Sequence, residues 1–186
     1  MKPAAILLAG GASTRMGRPK ALLPIGGDTF LGRLIGIYAP CCEPVIVVLG
    51  HQWQAIRAAM DAKAEWVVNP EPERGQFSSL QVGLRALPAG ADCLFQPIDY
   101  PAVAAATVTL LAATAGELVI PRYEGERGHP VRLSPGIVAE LLALEPTAQA
   151  RDVIRAHYSA ATFVDVADAG VVTDIDTPED FARWIG

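Results

Sequence analysis

LLAGGASTRMGRPKALLP, residues Leu7–Pro24, sets the architecture of this chain. It begins inside Pro3–Ala9, a short run that is apolar on both alternating faces, as expected of a parallel strand covered on both sides. Gly10-Gly11 and small polar residues follow, and then Arg15 and Lys20. A strand running into a glycine-rich loop with two cations describes a phosphate cradle. The glycines let the backbone approach an anion, and N–H groups and cations neutralise it. A plain Gly/Ser connection with exposed cations is the alternative. Neither of the two commonest phosphate loops fits, because Gly11 to Gly17 has the wrong spacing for a Walker A and Arg18 stands where its lysine belongs. No G-x-G offers a dinucleotide fingerprint either.

Beyond this loop, strand and helix patterns alternate to the end of the chain. Thr29–Ala39 carries a helical stripe of Phe30, Leu31, Leu34, Ile35 and Tyr38. Pro44–Leu49 is a strand ended by Gly50, Gln52–Ala62 a helix, and Glu65–Val68 a strand closed by Asn69-Pro70. Ser78–Leu87 reads as a helix with Ser78 as N-cap and Gln81 completing a capping box. Strands are expected at Asp92–Gln96, Leu118–Pro121, Pro130–Leu133, Thr162–Val166 and Val171–Ile175. Helices are expected at Val103–Ala115, Gly136–Leu144, Ala148–His157 and Pro178–Ile185, the last with Thr177 as N-cap. Tyr123–His129 reads as a polar loop. Trp53, Trp66 and Trp184 fall on periodic apolar faces and are assigned to the core. The whole is an α/β three-layer domain with a mostly parallel sheet. Ligands in such sheets sit outside the carboxyl ends of the strands, which selects the loops after Ala9, Leu49, Asn69 and Gln96 and the region of Ile175.

Composition narrows the function classes. The chain has 186 residues, 51% hydrophobic, with 15 Lys and Arg against 20 Asp and Glu, a net charge of −5. One core burying about 70% of the unfolded surface suits this length. The acidic balance argues against tracking a nucleic-acid backbone, and the apolar fraction against disorder. No run approaches a membrane-spanning length, and three cysteines without metal-ligand spacing point to reduced thiols in a cytoplasmic protein. The vicinal pair Cys41-Cys42 is expected to be inert. Charge is segregated: Lys2, Arg15, Arg18 and Lys20 stand in the first 27 residues without an acid. Between Arg155 and Arg183 lie Asp165, Asp168, Asp174, Asp176, Glu179 and Asp180 without a Lys or Arg. An anion site near one end and a metal site near the other produce this pattern, as do solvated faces.

The segment Leu8-Ala9-Gly10-Gly11-x-Ser13-x-Arg15-Met16-Gly17-x-x-Lys20 resembles the signature of the nucleotidyltransferases that act on molybdenum cofactor. More broadly it is similar to the sugar-nucleotide and cytidylyltransferases that share their Rossmann-like fold. The resemblance implies that Leu8, Ala9, Gly10, Gly11 and Ser13 wrap the base and phosphates of a nucleoside triphosphate. It gives Arg15 the leaving pyrophosphate and Lys20 the α-phosphate. Three further stretches extend the likeness over nearly the whole chain. GQFSSLQVGL, Gly75–Leu84, is similar to a segment whose serine reads the base; with Ser78 engaged as a cap, Ser79 takes that role. FQPIDYPA, Phe95–Ala102, places Asp99 like the family's Asp-x-Pro metal site, with Tyr100 where Met or Gln is usual. A hard oxygen there suits Mg²⁺. VTDIDTPEDF, Val172–Phe181, supplies Asp176 as second metal ligand with Asp174 in reserve. GHPVRL, Gly128–Leu133, is a weaker match that turns His129 toward the acceptor, whereas His51 and His157 lack partners.

The resemblance therefore implies a Mg²⁺-dependent enzyme transferring CMP from CTP to the phosphate of molybdopterin, with release of pyrophosphate. Its first half, about 1–100, would hold the nucleotide and its second half, about 101–186, the acceptor, in one domain. Transient contact with a molybdoenzyme or its chaperone goes with that reading. A GTP-using guanylyltransferase and a non-catalytic cofactor-binding chaperone are the alternatives. A sugar-nucleotide pyrophosphorylase is disfavoured by length.

Overall fold

A computed structural model describes residues 2–145 and 148–185. Strand β1 is Ala4–Ala9, and a one-turn 3₁₀ segment, Thr14–Met16, lies in the loop after it. A two-strand ribbon, β2 (Pro24–Ile25) and β3 (Asp28–Thr29), leads into helix α1, Phe30–Tyr38. The Thr29 hydroxyl accepts from the Gly32 amide and caps α1. There follow β4 (Val45–Leu49), α2 (Trp53–Ala59), β5 (Glu65–Val68), α3 (Gln76–Arg85) and β6 (Cys93–Pro97). Then come α4 (Ala105–Ala113), β7 (Leu118–Tyr123), β8 (Glu126–Arg127), β9 (Val131–Leu133) and α5 (Pro135–Ala143). Helix α6 (Ala150–Ala156), β10 (Thr162–Asp165) and α7 (Pro178–Ile185) close the chain.

The main sheet runs β10-β7-β9-β6-β1-β4-β5, with β8 paired to β7. β1 is parallel to β4 and β6, β4 to β5, and β7 to β10; β9 runs antiparallel to β6 and β7. The two-sided apolar character of β1 has a direct cause. Ala5, Leu7 and Ala9 enter one core with Phe30, Leu34 and Val108, whereas Ala4, Ile6 and Leu8 enter a second with Leu80, Leu84 and Ile137. Two cores on opposite faces of one sheet make the three-layer α/β arrangement. Helix α3 lies close on its face: a Cβ on Gly83 would sit 2.6 Å from Ile6 Cγ2 and 2.9 Å from Val48 Cγ2.

Five expectations require correction. Helix α3 starts at Gln76, so Ser78 lies inside its first turn and forms no capping box. Its hydroxyl donates to the Gly75 carbonyl at 2.8 Å, and Gln81 is buried, donating to the Leu141 and Leu144 carbonyls. The expected strand Val171–Ile175 is instead a 3₁₀ turn, Ala169–Val171, followed by irregular chain. Its backbone groups are spent on other loops: the Val171 carbonyl accepts from the His129 amide at 2.8 Å, and the Ile175 amide donates to the Asp99 carbonyl at 2.8 Å. Val171 and Ile175 are nonetheless buried, and that apolar pattern imitates a strand. Residues 123–129 are not all loop, because β8 pairs back on β7. Trp53 is 40% exposed, since seven-residue α2 buries only Ile56, whereas Trp66 and Trp184 pack against the core. His157 does have a partner, because the chain after α6 brings its Nε2 to 2.9 Å from Glu140 Oε2 on α5.

Asp168 fixes the threaded segment. One carboxylate oxygen accepts from the Ala104 amide at 2.9 Å and the Thr107 hydroxyl at 2.6 Å, capping α4 from outside the helix; the other accepts from the Gly170 amide. A Cβ on Gly170 would lie 2.4 Å from the Ala102 carbonyl oxygen, so the close approach of the two loops requires glycine. The three cysteines are free, and burial pushes the Cys93 thiol up to about 12. Among the described residues no helix is long and apolar enough to cross a membrane.

Candidate active site

The loops after β1, β4, β5 and β6 meet at the carboxyl edge of the sheet. Gly50 allows the first two to touch: a Cβ there would stand 2.5 Å from the Gly10 carbonyl oxygen. That oxygen in turn accepts from the His51 amide at 3.2 Å. Ser13 adopts a left-handed conformation at φ 51°, uncommon for a residue with a side chain, and its hydroxyl accepts from the Lys20 amide at 3.0 Å. The loop is thereby folded back on itself, with Lys20 returned to the sheet edge.

A cavity of about 410 Å³ opens here. It is lined by Leu8, Ala9, Gly10, Gly11, Ser13, Arg15, Lys20, Ser79, Asp99 and Asp176, so residues from four distant parts of the chain share one site. His129 is not among them. It lines a neighbouring cavity of about 500 Å³ with Phe77, Phe95, Arg127 and Tyr158, and the two cavities share Leu8 and Gln76. His51, Glu73, Gly75 and Gln76 also border the first cavity, and none of them stands out by residue type. His51 and Glu73 are signalled in the sequence by position alone, in loops beyond strand ends, whereas Gly75 and Gln76 open the GQFSSLQVGL stretch.

Lys20 organises the charge. It is 6% exposed, and its ammonium bonds Asp99 Oδ1 at 2.9 Å and Asp176 Oδ1 as well. Exposed Arg15 pairs with the other oxygen of Asp176. Burial works to lower the Lys20 pKa, but hydrogen bonds and charge from Asp176 and Asp99 prevail and hold it above its ordinary value. The Lys20 hydrogen bond holds Asp176 below the usual carboxylate range. Asp174 goes the other way, raised by burial and by the charges of Asp99 and Asp176. Oxygens of Asp99, Asp174 and Asp176 lie within 4.8 Å of one another. Such a donor set, all hard carboxylate oxygens at the edge of this cavity, fits Mg²⁺ or Mn²⁺.

Three devices hold the carboxylates in place. The Asp99 carbonyl accepts from the Ile175 amide, stitching the two acid-bearing loops together. Behind Asp99, the fully buried Gln96 donates to the Tyr100 carbonyl at 2.6 Å and accepts from the Tyr38 hydroxyl. The Thr177 hydroxyl accepts from the Asp180 amide, and the Asp180 carboxylate accepts in return from the Thr177 amide, closing the start of α7 beside Asp176.

His129 packs against Phe95 at 5.4 Å and Tyr100 at 4.9 Å between ring centroids. Burial lowers its pKa to about 4. A depressed histidine pKa means that the unfolded chain binds the proton more tightly, so stability falls as pH drops from the unfolded value near 6.5 toward 4. Urea titrations are expected to show the protein about 2 kcal/mol less stable at pH 4.5 than at pH 7 from this group. His129→Gln should remove that part of the pH dependence; an unchanged profile would contradict a buried neutral imidazole.

The family model described as the MobA-like NTP transferase domain matches residues 5–161. The chain is similar to the molybdenum cofactor cytidylyltransferase of Escherichia coli strain K12, 25% identical over 181 residues, or 95% of this chain and 92% of that protein. It is also similar to a molybdenum cofactor guanylyltransferase of Sinorhizobium fredii, 33% identical over 150 residues, or 80% of this chain and 65% of that protein. Among solved structures, Rv0371c of Mycobacterium tuberculosis H37Rv superposes with a TM-score of 0.88 at 30% identity, covering 98% of this chain and 96% of that one. A structure of Rv0371c with manganese gives 0.84 at 28% identity, covering 98% and 97%.

Proposed function

The chain belongs to the MobA-like NTP transferase family, a family of nucleotidyltransferases, and from that premise we propose that it transfers CMP from CTP to the phosphate of molybdopterin. An acceptor phosphate oxygen attacks the α-phosphorus in line. The bond from that phosphorus to the bridging oxygen breaks, and pyrophosphate leaves with the electron pair. No protein nucleophile takes part, so catalysis is positioning and charge neutralisation. The observation that carries this reading is the Lys20 ammonium, buried at the cavity floor between Asp99 and Asp176. A merely binding protein does not call for a second carboxylate there.

Gly10, Gly11 and Ser13 present backbone to the triphosphate, Arg15 at the rim holds the departing pyrophosphate, and Lys20 faces the α-phosphate. Asp99 and Asp176, with Asp174 adjoining, would hold a divalent ion, which when bound would supply positive charge to the site of phosphoryl transfer. Manganese appears in the structure of a relative, and the hard donor set equally accepts Mg²⁺. The nucleotide lies against residues before about 100, and the acceptor enters through the His129 cavity, whose junction with the first at Leu8 and Gln76 brings the two substrates together.

GTP is the second reading, favoured by the 33% identity to a guanylyltransferase. Melting curves with CTP or GTP in Mg²⁺ separate them. At a hundredfold excess over Kd, CTP should raise the melting temperature by about 5–10 °C. GTP should raise it less. Equal shifts, a larger shift with GTP, or none would overturn the choice of CTP.

A further inference from the structure

Asn69, the first residue after β5, is 3% exposed, and its side chain is engaged at both ends. Its Oδ1 accepts from the Glu71 amide at 3.0 Å, which fixes the orientation of the carboxamide. The two protons on Nδ2 then go to Ser78 Oγ at 2.8 Å and Ser79 Oγ at 3.0 Å. The two serines differ in what they do with their own protons. Ser78 gives its proton to the Gly75 carbonyl at 2.8 Å. Among the described residues no acceptor takes that of Ser79, and Ser79 lines the first cavity. A hydroxyl that accepts from an immobile amide keeps its own proton for another partner. Gly10 leaves the approach open, since a Cβ there would stand 2.9 Å from Ser79 Oγ.

We propose that Asn69 is a positioning residue that makes the Ser79 hydroxyl a dedicated hydrogen-bond donor to an acceptor atom on the bound nucleobase. This rests on the first cavity being the nucleotide site and adds a specificity element to it. The ligand atom facing Ser79 must be a carbonyl oxygen or an unprotonated ring nitrogen. A ring N–H or an amino group in that position would meet only the second lone pair of Ser79 Oγ and leave the hydroxyl proton without an acceptor. Asn69 touches no nucleotide and acts only by fixing which way Ser79 is polarised. Asn69→Asp keeps the shape and the bond from the Glu71 amide, but its second oxygen accepts where Nδ2 donated. The Ser79 proton then turns to residue 69 and away from the cavity.

The test is a double-variant cycle read by calorimetric Kd in Mg²⁺, with whichever of CTP and GTP the wild-type protein binds more tightly. Ser79→Ala and Asn69→Asp are each expected to weaken binding about tenfold, the scale of one lost neutral hydrogen bond. The double variant should bind within about twofold of the single ones, because both remove the same bond. Melting temperatures identify a variant that fails to fold. Should Asn69→Asp be such a case, Asn69→Ala replaces it and must weaken binding when Ser79 is intact while adding nothing to Ser79→Ala. Multiplicative effects, or an Asn69 variant that binds like wild type while Ser79→Ala does not, would overturn the proposal and leave the nucleotide site standing. A wild-type protein that binds neither nucleotide would overturn the site itself.

Discussion

Lys20→Ala is expected to lower kcat by about 10²–10³ with the fold retained, the scale set by removing one preorganised donor from a developing phosphate charge. The chain around Lys20 does not depend on its side chain. Its amide bonds Ser13 Oγ at 3.0 Å, and the neighbouring Ala21 and Leu23 enter the core. What the substitution removes is the buried cation shared by Asp99 and Asp176, at 2.9 Å from Asp99. Asp176 then loses the bond that keeps it acidic and should titrate nearer the ordinary carboxylate range. Lys20→Arg is not a rescue, since a planar fork cannot occupy a site built for a compact ammonium buried to 6% exposure. Full turnover in Lys20→Ala, measured at saturating nucleotide and acceptor, would contradict the role given to Lys20.

The second large effect falls on Asp99. Replacing a partner that only orients a metal ligand costs about 10–100-fold, so loss of a ligand itself is expected to cost at least about 100-fold in activity. Asp99→Asn should also raise the Mg²⁺ concentration for half-maximal rate, because a carboxamide is neutral and binds the ion more weakly. Raising Mg²⁺ should then restore part of the rate in Asp99→Asn and none of it in Lys20→Ala. Unchanged metal dependence in Asp99→Asn would move the ion elsewhere.

How much of the molecule is legible in its sequence depends on the physical character of each signal. The Gly10-Gly11 turn, the cations at 15 and 20 and the alternation of strand and helix are readable, because glycine, charge and apolar period act locally. Thr29 is readable as the start of a helix and Thr177 as a cap for the same reason. The cavity brings Arg15, Lys20, Ser79, Asp99 and Asp176 together, and His129 falls in the adjoining one. Ser78 misleads because Gly75 three residues earlier already turns the chain at φ 94°, so the helix starts before the serine that looks like its cap. Val171–Ile175 misleads because an apolar pattern does not reveal where the amides bond. Asn69, Gln96 and His51 carry no sequence signal as individuals. Their parts in the site come from hydrogen bonds and cavity walls that form only once the chain has folded, whether across a turn, as from Asn69 to Ser78 and Ser79, or between distant segments, as from Tyr38 to Gln96.

Pyrophosphate release is the direct measurement of nucleotidyl transfer by this site. Purified protein is mixed with Mg²⁺, CTP or GTP, and molybdopterin, and pyrophosphate and the dinucleotide product are quantified together. Equal amounts of both are expected, dependent on acceptor and on metal, and greatest with CTP. Tight binding of nucleotide and molybdopterin with no pyrophosphate formed from either triphosphate would contradict transfer and leave a binding protein in its place.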